Sequence, residues 1–109
     1  MGKLLSSAIK MQGAGAPTTA TININNVDGV TVTWTKNGIS QGSVAIAVTA
    51  TLNVGDTFSV TSSDIFGSSV FYYLNGAFVT SYFGSPSVTT PTLTAIGGNT
   101  YRYDCFGGA

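Results

Sequence analysis

Asp28, Asp56, Asp64, Asp104, Lys3, Lys10, Lys36, Arg102 and the thiol of Cys105 are the side chains with which this sequence could do acid-base, nucleophilic or metal chemistry. Histidine and glutamate are absent. Proton transfer near neutral pH rests mostly on histidine or on a carboxylate of shifted pKa, and metal sites need clustered His, Cys, Asp or Glu. Ser, Thr or Lys could act as a nucleophile only beside an activating base, and no spacing here supplies one. A pair of aspartates could in principle hydrolyse glycosides, but all four sit near turns or strand ends, where a carboxylate satisfies local backbone donors. Asn25, Asn26 and Asp28 before Gly29 faintly resemble a calcium loop, yet lack the bidentate acid such a loop needs, so an Asx-type turn is expected there. The expectation is a chain with no catalytic residue, no metal and no cofactor. Arg102 and Asp104, at i and i+2, share a face of the last strand and are expected to pair at the surface.

Charge also bounds the partners. Lys and Arg together number 4, as do Asp and Glu, so charged residues make up 7% of the chain and the formal net charge is zero. So few cations can neutralise few phosphates, which argues against nucleic acid and acidic membrane surfaces. Net neutrality favours self-association over colloidal solubility. Cys105 has no internal partner for a disulfide and is expected to be an idle buried thiol. No stretch is long and apolar enough for a membrane span, and the brief apolar start is broken by Ser6, Ser7 and Lys10 before reaching signal-peptide length.

The elements that must position these residues read as strands. From Thr18 onward the period is two: Val30, Val32 and Trp34 face one way, Thr31, Thr33 and Thr35 the other. Asn37-Gly38 is a strong type I′ hairpin signal. Val44, Ile46, Val48, Ala50 and Leu52 continue the alternation, and Asn53-Val54-Gly55-Asp56 turns the chain into Thr57 to Ser63, with Phe58 and Val60 inward. A second round runs from Ser69 through Leu74, turns at Asn75-Gly76 into Ala77 to Phe83, and breaks at Gly84-Ser85-Pro86. Val88 to Ala95 contains Pro91, which places it at an edge or a bulge. Gly97-Gly98-Asn99 then leads into Thr100 to Phe106. The two rounds look alike: Val32 to Gly38 matches Val70 to Gly76, and Gly55-Asp56-Thr57-Phe58 matches Gly98-Asn99-Thr100-Tyr101. A duplicated unit or the same turn chemistry used twice would each produce this. Seven to eight short strands at this spacing predict one all-β domain, an antiparallel β-sandwich, over residues 20–109.

Residues 1–19 differ. Leu4, Leu5, Ala8, Ile9 and Met11 follow near-helical spacing and run into a Gly/Ala/Pro hinge, so this segment is expected to be an arm whose apolar face, Leu4, Leu5, Ile9 and Met11, needs a partner, either the domain itself or a neighbouring subunit. Ten of the twelve aromatic residues lie at or after Phe66. Phe71, Tyr72, Tyr73, Phe78, Tyr82 and Phe83 occupy both faces of one hairpin; one face fills a core, and the other is a candidate for subunit contact or for stacking on sugars.

Thr31 to Gly38 followed by Leu52 to Val60 resembles the Ig-like β-sandwich modules of bacteriophage virions and bacterial surface proteins, across about residues 20 to 106; a jelly roll is the competing sandwich. The resemblance implies a non-enzymatic structural subunit of a virion, a capsid decoration, minor capsid or tail-associated protein, whose partners are copies of itself and other virion proteins. The alternatives are a carbohydrate-binding or adhesin module at the cell surface, with glycans as partners, and a filament subunit that donates Thr18 to Val27 to a neighbour's sheet.

Overall fold

A computed structural model of the chain describes residues 16–108. The expected arm residues Leu4, Leu5, Ile9 and Met11 lie outside the described residues. Among the described residues there are ten strands: β1 (Thr19–Asn26), β2 (Thr31–Lys36), β3 (Ile39–Ser43), β4 (Ala47–Asn53), β5 (Thr57–Ser63), β6 (Ser68–Leu74), β7 (Ala77–Gly84), β8 (Ser87–Thr89), β9 (Leu93–Thr94) and β10 (Thr100–Gly107). They form two five-stranded sheets: β4-β1-β10-β6-β7, and β3-β2-β5-β8 with β9 also paired to β5. Every pairing is antiparallel except β1 with β10. The all-β sandwich read from the sequence is therefore the fold.

Alternation decides what the sandwich buries. Ile22 and Ile24 of β1, Leu52 of β4, Val70 and Tyr72 of β6, and Tyr101, Tyr103 and Cys105 of β10 point inward from the first sheet. Val32, Trp34, Phe58 and Val60 meet them from the second. The rings interlock: Tyr72 stacks on Tyr103 with centroids 5.1 Å apart, and Phe58 tilts against Tyr101 at 4.7 Å. Aromatic pairs at such separations contribute roughly 0.5–1.5 kcal/mol each beyond the area they bury.

The two rounds seen in the sequence fold alike. β2 pairs with β3 through Asn37-Gly38 and with β5; β6 pairs with β7 through Asn75-Gly76 and with β10. Asn37 and Asn75 both take positive φ, 54° and 51°, as a type I′ turn requires. Asn37 Oδ1 accepts from the Thr57 amide at 2.9 Å and Asn75 Oδ1 from the Thr100 amide at 2.8 Å, while their Nδ2 groups donate to Asp56 and Asn99. Registers match as well, since Trp34 faces Val60 where Tyr72 faces Tyr103. Each sheet thus contains the same three-stranded unit, β3-β2-β5 and β7-β6-β10.

Three expectations are refined. The strand expected to run unbroken from Val44 to Leu52 is instead a crossing: Val44 is buried in the sandwich, Ile46 is 79% exposed, and β4 begins at Ala47 in the other sheet. Asn26 explains the crossing. Its amide donates to the Val30 and Val44 carbonyls and accepts from the Val30 amide, clamping two inter-sheet connections with one buried side chain, which is the expected Asx turn put to a wider use. The extended run around Pro91 splits into β8 and β9, with Thr90 between them exchanging bonds with Val60, so the proline sits in an interrupted edge. The sandwich also takes up the chain earlier than residue 20: the Thr18 carbonyl accepts from Val54, the Thr19 carbonyl from Gly98, and a Cβ on Gly97 would overlap the Pro17 carbonyl. β1 lies inside its own sheet, between β4 and β10.

Candidate interaction face

The outer face of the first sheet gathers most of the residues singled out above. Its geometry follows from register. Asn23, Arg102, Tyr73 and Phe78 form one row across β1, β10, β6 and β7; Asn25, Asp104, Phe71 and Ser81 form the next; Phe106, Ser69 and Phe83 form a third. Phe78 joins this face because a bulge at Val79 shifts the register of β7 against β6. Without it Phe78 would share the inward side with Thr80 and Tyr82.

The rings make a continuous stripe. Phe71 lies 5.2 Å from Phe106, edge to face, and 5.8 Å from Phe78, which in turn meets Tyr73 at 5.7 Å. Phe83 stands on the same face, in the row of Ser69 and Phe106, and lies over Gly67, whose φ of +98° and missing side chain leave room for the ring. Phe78 is 55% and Phe83 66% exposed. Covering either would remove roughly 100 Å² of apolar surface from water, about 2–3 kcal/mol each.

One ion pair divides this stripe from a polar half. The Arg102 guanidinium donates to Asp104 twice, at 3.0 and 2.7 Å, and lies 4.1 Å over the Tyr73 ring. Asn25 Nδ2 donates to the same carboxylate at 2.8 Å. These bonds, Arg102 first, hold the Asp104 carboxyl below the usual aspartate range against the opposing effect of its burial, and the same carboxylate raises the Arg102 pKa. Beyond the pair, Thr19, Thr21 and Asn23 of β1 and Thr49 and Thr51 of β4 present hydroxyls and an amide. The face can therefore stack flat apolar groups on one half and exchange hydrogen bonds on the other.

Two of the six expected aromatics are corrected. Tyr72 is 8% exposed and belongs to the core, and Tyr82 packs against it. Both share the parity of Val70, whose side chain is fully buried. Phe106 belongs to the stripe and was not among the expected residues, although its i+2 spacing from Asp104 carried the signal. The other aspartates serve structure: Asp56 accepts from Asn37 and the Asn53 amide, bonds that lower its pKa, and Asp28 accepts from the Gly107 amide. Asp64 lines a shallow cleft of about 320 Å³ with Gly29, Val30, Thr31, Ser63, Ile65 and Pro86 at the end of the sandwich beside Gly107. Cys105 is fully buried, and its thiol is pushed up to about 12 by that burial. Among the described residues no helix is long and apolar enough to cross a membrane. Searches of protein-family models, curated proteins and solved structures find no match to this chain.

Proposed function

We propose that this chain is a non-enzymatic structural subunit that works by protein-protein contact, in a virion of the kind the Ig-like resemblance implies. The observation that carries this is the aromatic stripe of Phe71, Tyr73, Phe78, Phe83 and Phe106 on the outer sheet face. Contiguous apolar surface of this kind, on a domain with almost no charge to keep copies apart, fits a surface that a neighbour covers. Charged residues are depleted at interface centres and aromatics with arginine enriched, which is the composition found here.

The Phe71→Ser, Phe78→Ser, Phe83→Ser triple variant tests the surface. It should keep the fold by circular dichroism and lose the concentration-dependent association that light scattering is expected to show for the wild type; unchanged association in the variant would remove the stripe from the contact. The virion setting is tested separately, by whether an antibody to the chain labels particles purified from the producing culture, and unlabelled particles would overturn it.

One arrangement favours a second reading. Tyr73 and Phe71 beside Asn25, Arg102 and Asp104 combine ring faces with fixed hydrogen-bonding groups, the chemistry that recognises sugars. A glycan array bound by the wild type and not by Tyr73→Ala would establish it, and an array without hits would discard it.

A further inference from the structure

β3 and β7 hold the same place in the two matching three-stranded units, each the outer strand of an Asn-Gly hairpin and each an edge of its sheet. The fold therefore asks the same of both, and any difference between them is not a demand of the backbone. β3 reads Ile-Ser-Gln-Gly-Ser: five residues, a register shift against β2, and Gly42 at a φ of +97°. Short length and irregularity are how edges are kept from pairing with another chain. The other margin of that sheet, β8 and β9, is interrupted around Pro91. β7 reads Ala-Phe-Val-Thr-Ser-Tyr-Phe-Gly: eight residues with no charge and no proline, whose one register shift, at Val79, leaves residues 80–84 regularly paired with β6. Phe78, Val79 and Phe83 on it are 55, 51 and 66% exposed. One sheet has blunted edges, and at the equivalent position the other has an open, apolar one.

We propose that β7 is a pairing edge, and that two copies of this chain join β7 to β7 antiparallel, fusing their five-stranded sheets into one. This deepens the assembly reading above and rests on it. The row of free N–H and C=O groups along an edge strand is complementary to an extended strand, and a two-fold axis through the edge makes any strand antiparallel to its own copy. Two neutral strands meet without repulsion. Cross-strand partners share a face, so residues of like parity pair, and a two-fold at Ser81 gives nearly full overlap of the eight-residue strand. Phe83 of one copy then lies opposite Val79 of the other, and the two aromatic stripes become one. The competing contact is β7 against β4 of the next copy. It also runs antiparallel, because β4 and β7 point in opposite directions within the sheet. It would seat the aromatics against Ala47, Thr49 and Thr51, and being head-to-tail it would not close.

The test uses the full chain, Ser81→Lys and Thr49→Lys, with sedimentation to read mass and hydrogen exchange to read strand protection. The expected result is a wild-type dimer whose β7 amides become protected as concentration rises, Ser81→Lys dimerising roughly a hundredfold more weakly with an unchanged melting temperature, and Thr49→Lys dimerising normally. A wild type that stays monomeric with unprotected β7 amides overturns the proposal, leaving the assembly reading to the particle-labelling test. Open-ended oligomers dispersed by Thr49→Lys overturn it in favour of the β7-β4 contact. Association that survives Ser81→Lys without β7 protection but is lost in the phenylalanine triple variant overturns the edge while keeping the face.

Discussion

Replacing Asp104 by Asn keeps the shape of the side chain, still accepts from Asn25, and turns an amide toward Arg102 where a carboxylate stood. The magnitude follows from exposure. Solvent-exposed pairs contribute about 0–1 kcal/mol, and breaking fully buried ones costs about 3–5 kcal/mol. Here the Asp104 side chain is 10% and the Arg102 side chain 41% exposed, with bidentate geometry. Screening by solvent at the arginine places the cost of Asp104→Asn at about 1–2 kcal/mol at pH 7, or about 5–10 °C in melting temperature. The pH dependence has a fixed sign. The folded-state pKa of Asp104 is depressed, so its stabilisation is present above the ordinary aspartate value near 4 and is lost as pH falls through and below it. Asp56 loses stability in the same direction, but identically in both proteins. Urea titrations of wild type and Asp104→Asn at pH 7 and pH 3 should therefore show a gap at pH 7 that is smaller at pH 3. An equal gap at both values would mean that shape and not charge holds the site together, and no gap at pH 7 would mean the pair contributes nothing.

Two further outcomes test the core beneath this face. The Tyr103 hydroxyl is buried and makes no hydrogen bond of good geometry, though the Thr90 side chain lies near it, so Tyr103→Phe should stabilise the fold by about 1 kcal/mol in urea titration; a loss of that size would show that Thr90 bonds it after all. Cys105, with its thiol at about 12 and no exposed surface, should resist iodoacetamide at pH 8 in the native state and react promptly in urea; native labelling at the unfolded rate would contradict its burial.

Much of the fold was legible because its signals are local. Asn37-Gly38 and Asn75-Gly76 need positive φ at both central residues, and few other dipeptides supply it. Alternation then set which residues of β1, β2, β5, β6 and β10 share a face. The crossing at Val44 was not legible, because Val44, which follows β3 of one sheet, and Leu52, in β4 of the other, are both buried, and period-two alternation continues unbroken in the sequence across the change. Which face of β6 forms the core was half legible: parity grouped Tyr72 with Val70 and Leu74 against Phe71 and Tyr73, but only the opposing sheet makes the first group internal. Phe78 illustrates the limit. Parity alone places it with Tyr82, and the bulge that moves it beside Phe71 leaves no mark in the residues around Val79.

The candidate face is built from long-range juxtaposition, which explains why its members were found and its unity was not. Arg102 and Asp104 announce each other at i and i+2, but Asn25 reaches Asp104 only because the first and last strands run side by side and parallel. The same pairing consumes charge. Arg102 and Asp104 neutralise each other, while Asp56 at its turn and Asp28 at the Gly107 amide keep their charges away from this face, so among the described residues the outer face carries no unpaired charge. Very little electrostatic repulsion is left to discriminate between partners. Selectivity on such a surface must come from backbone edges and ring shape: on the proposed pairing, a five-residue β3 broken at Gly42 rejects strands that an eight-residue, apolar β7 accepts, on the same scaffold and by the same hydrogen-bonding chemistry.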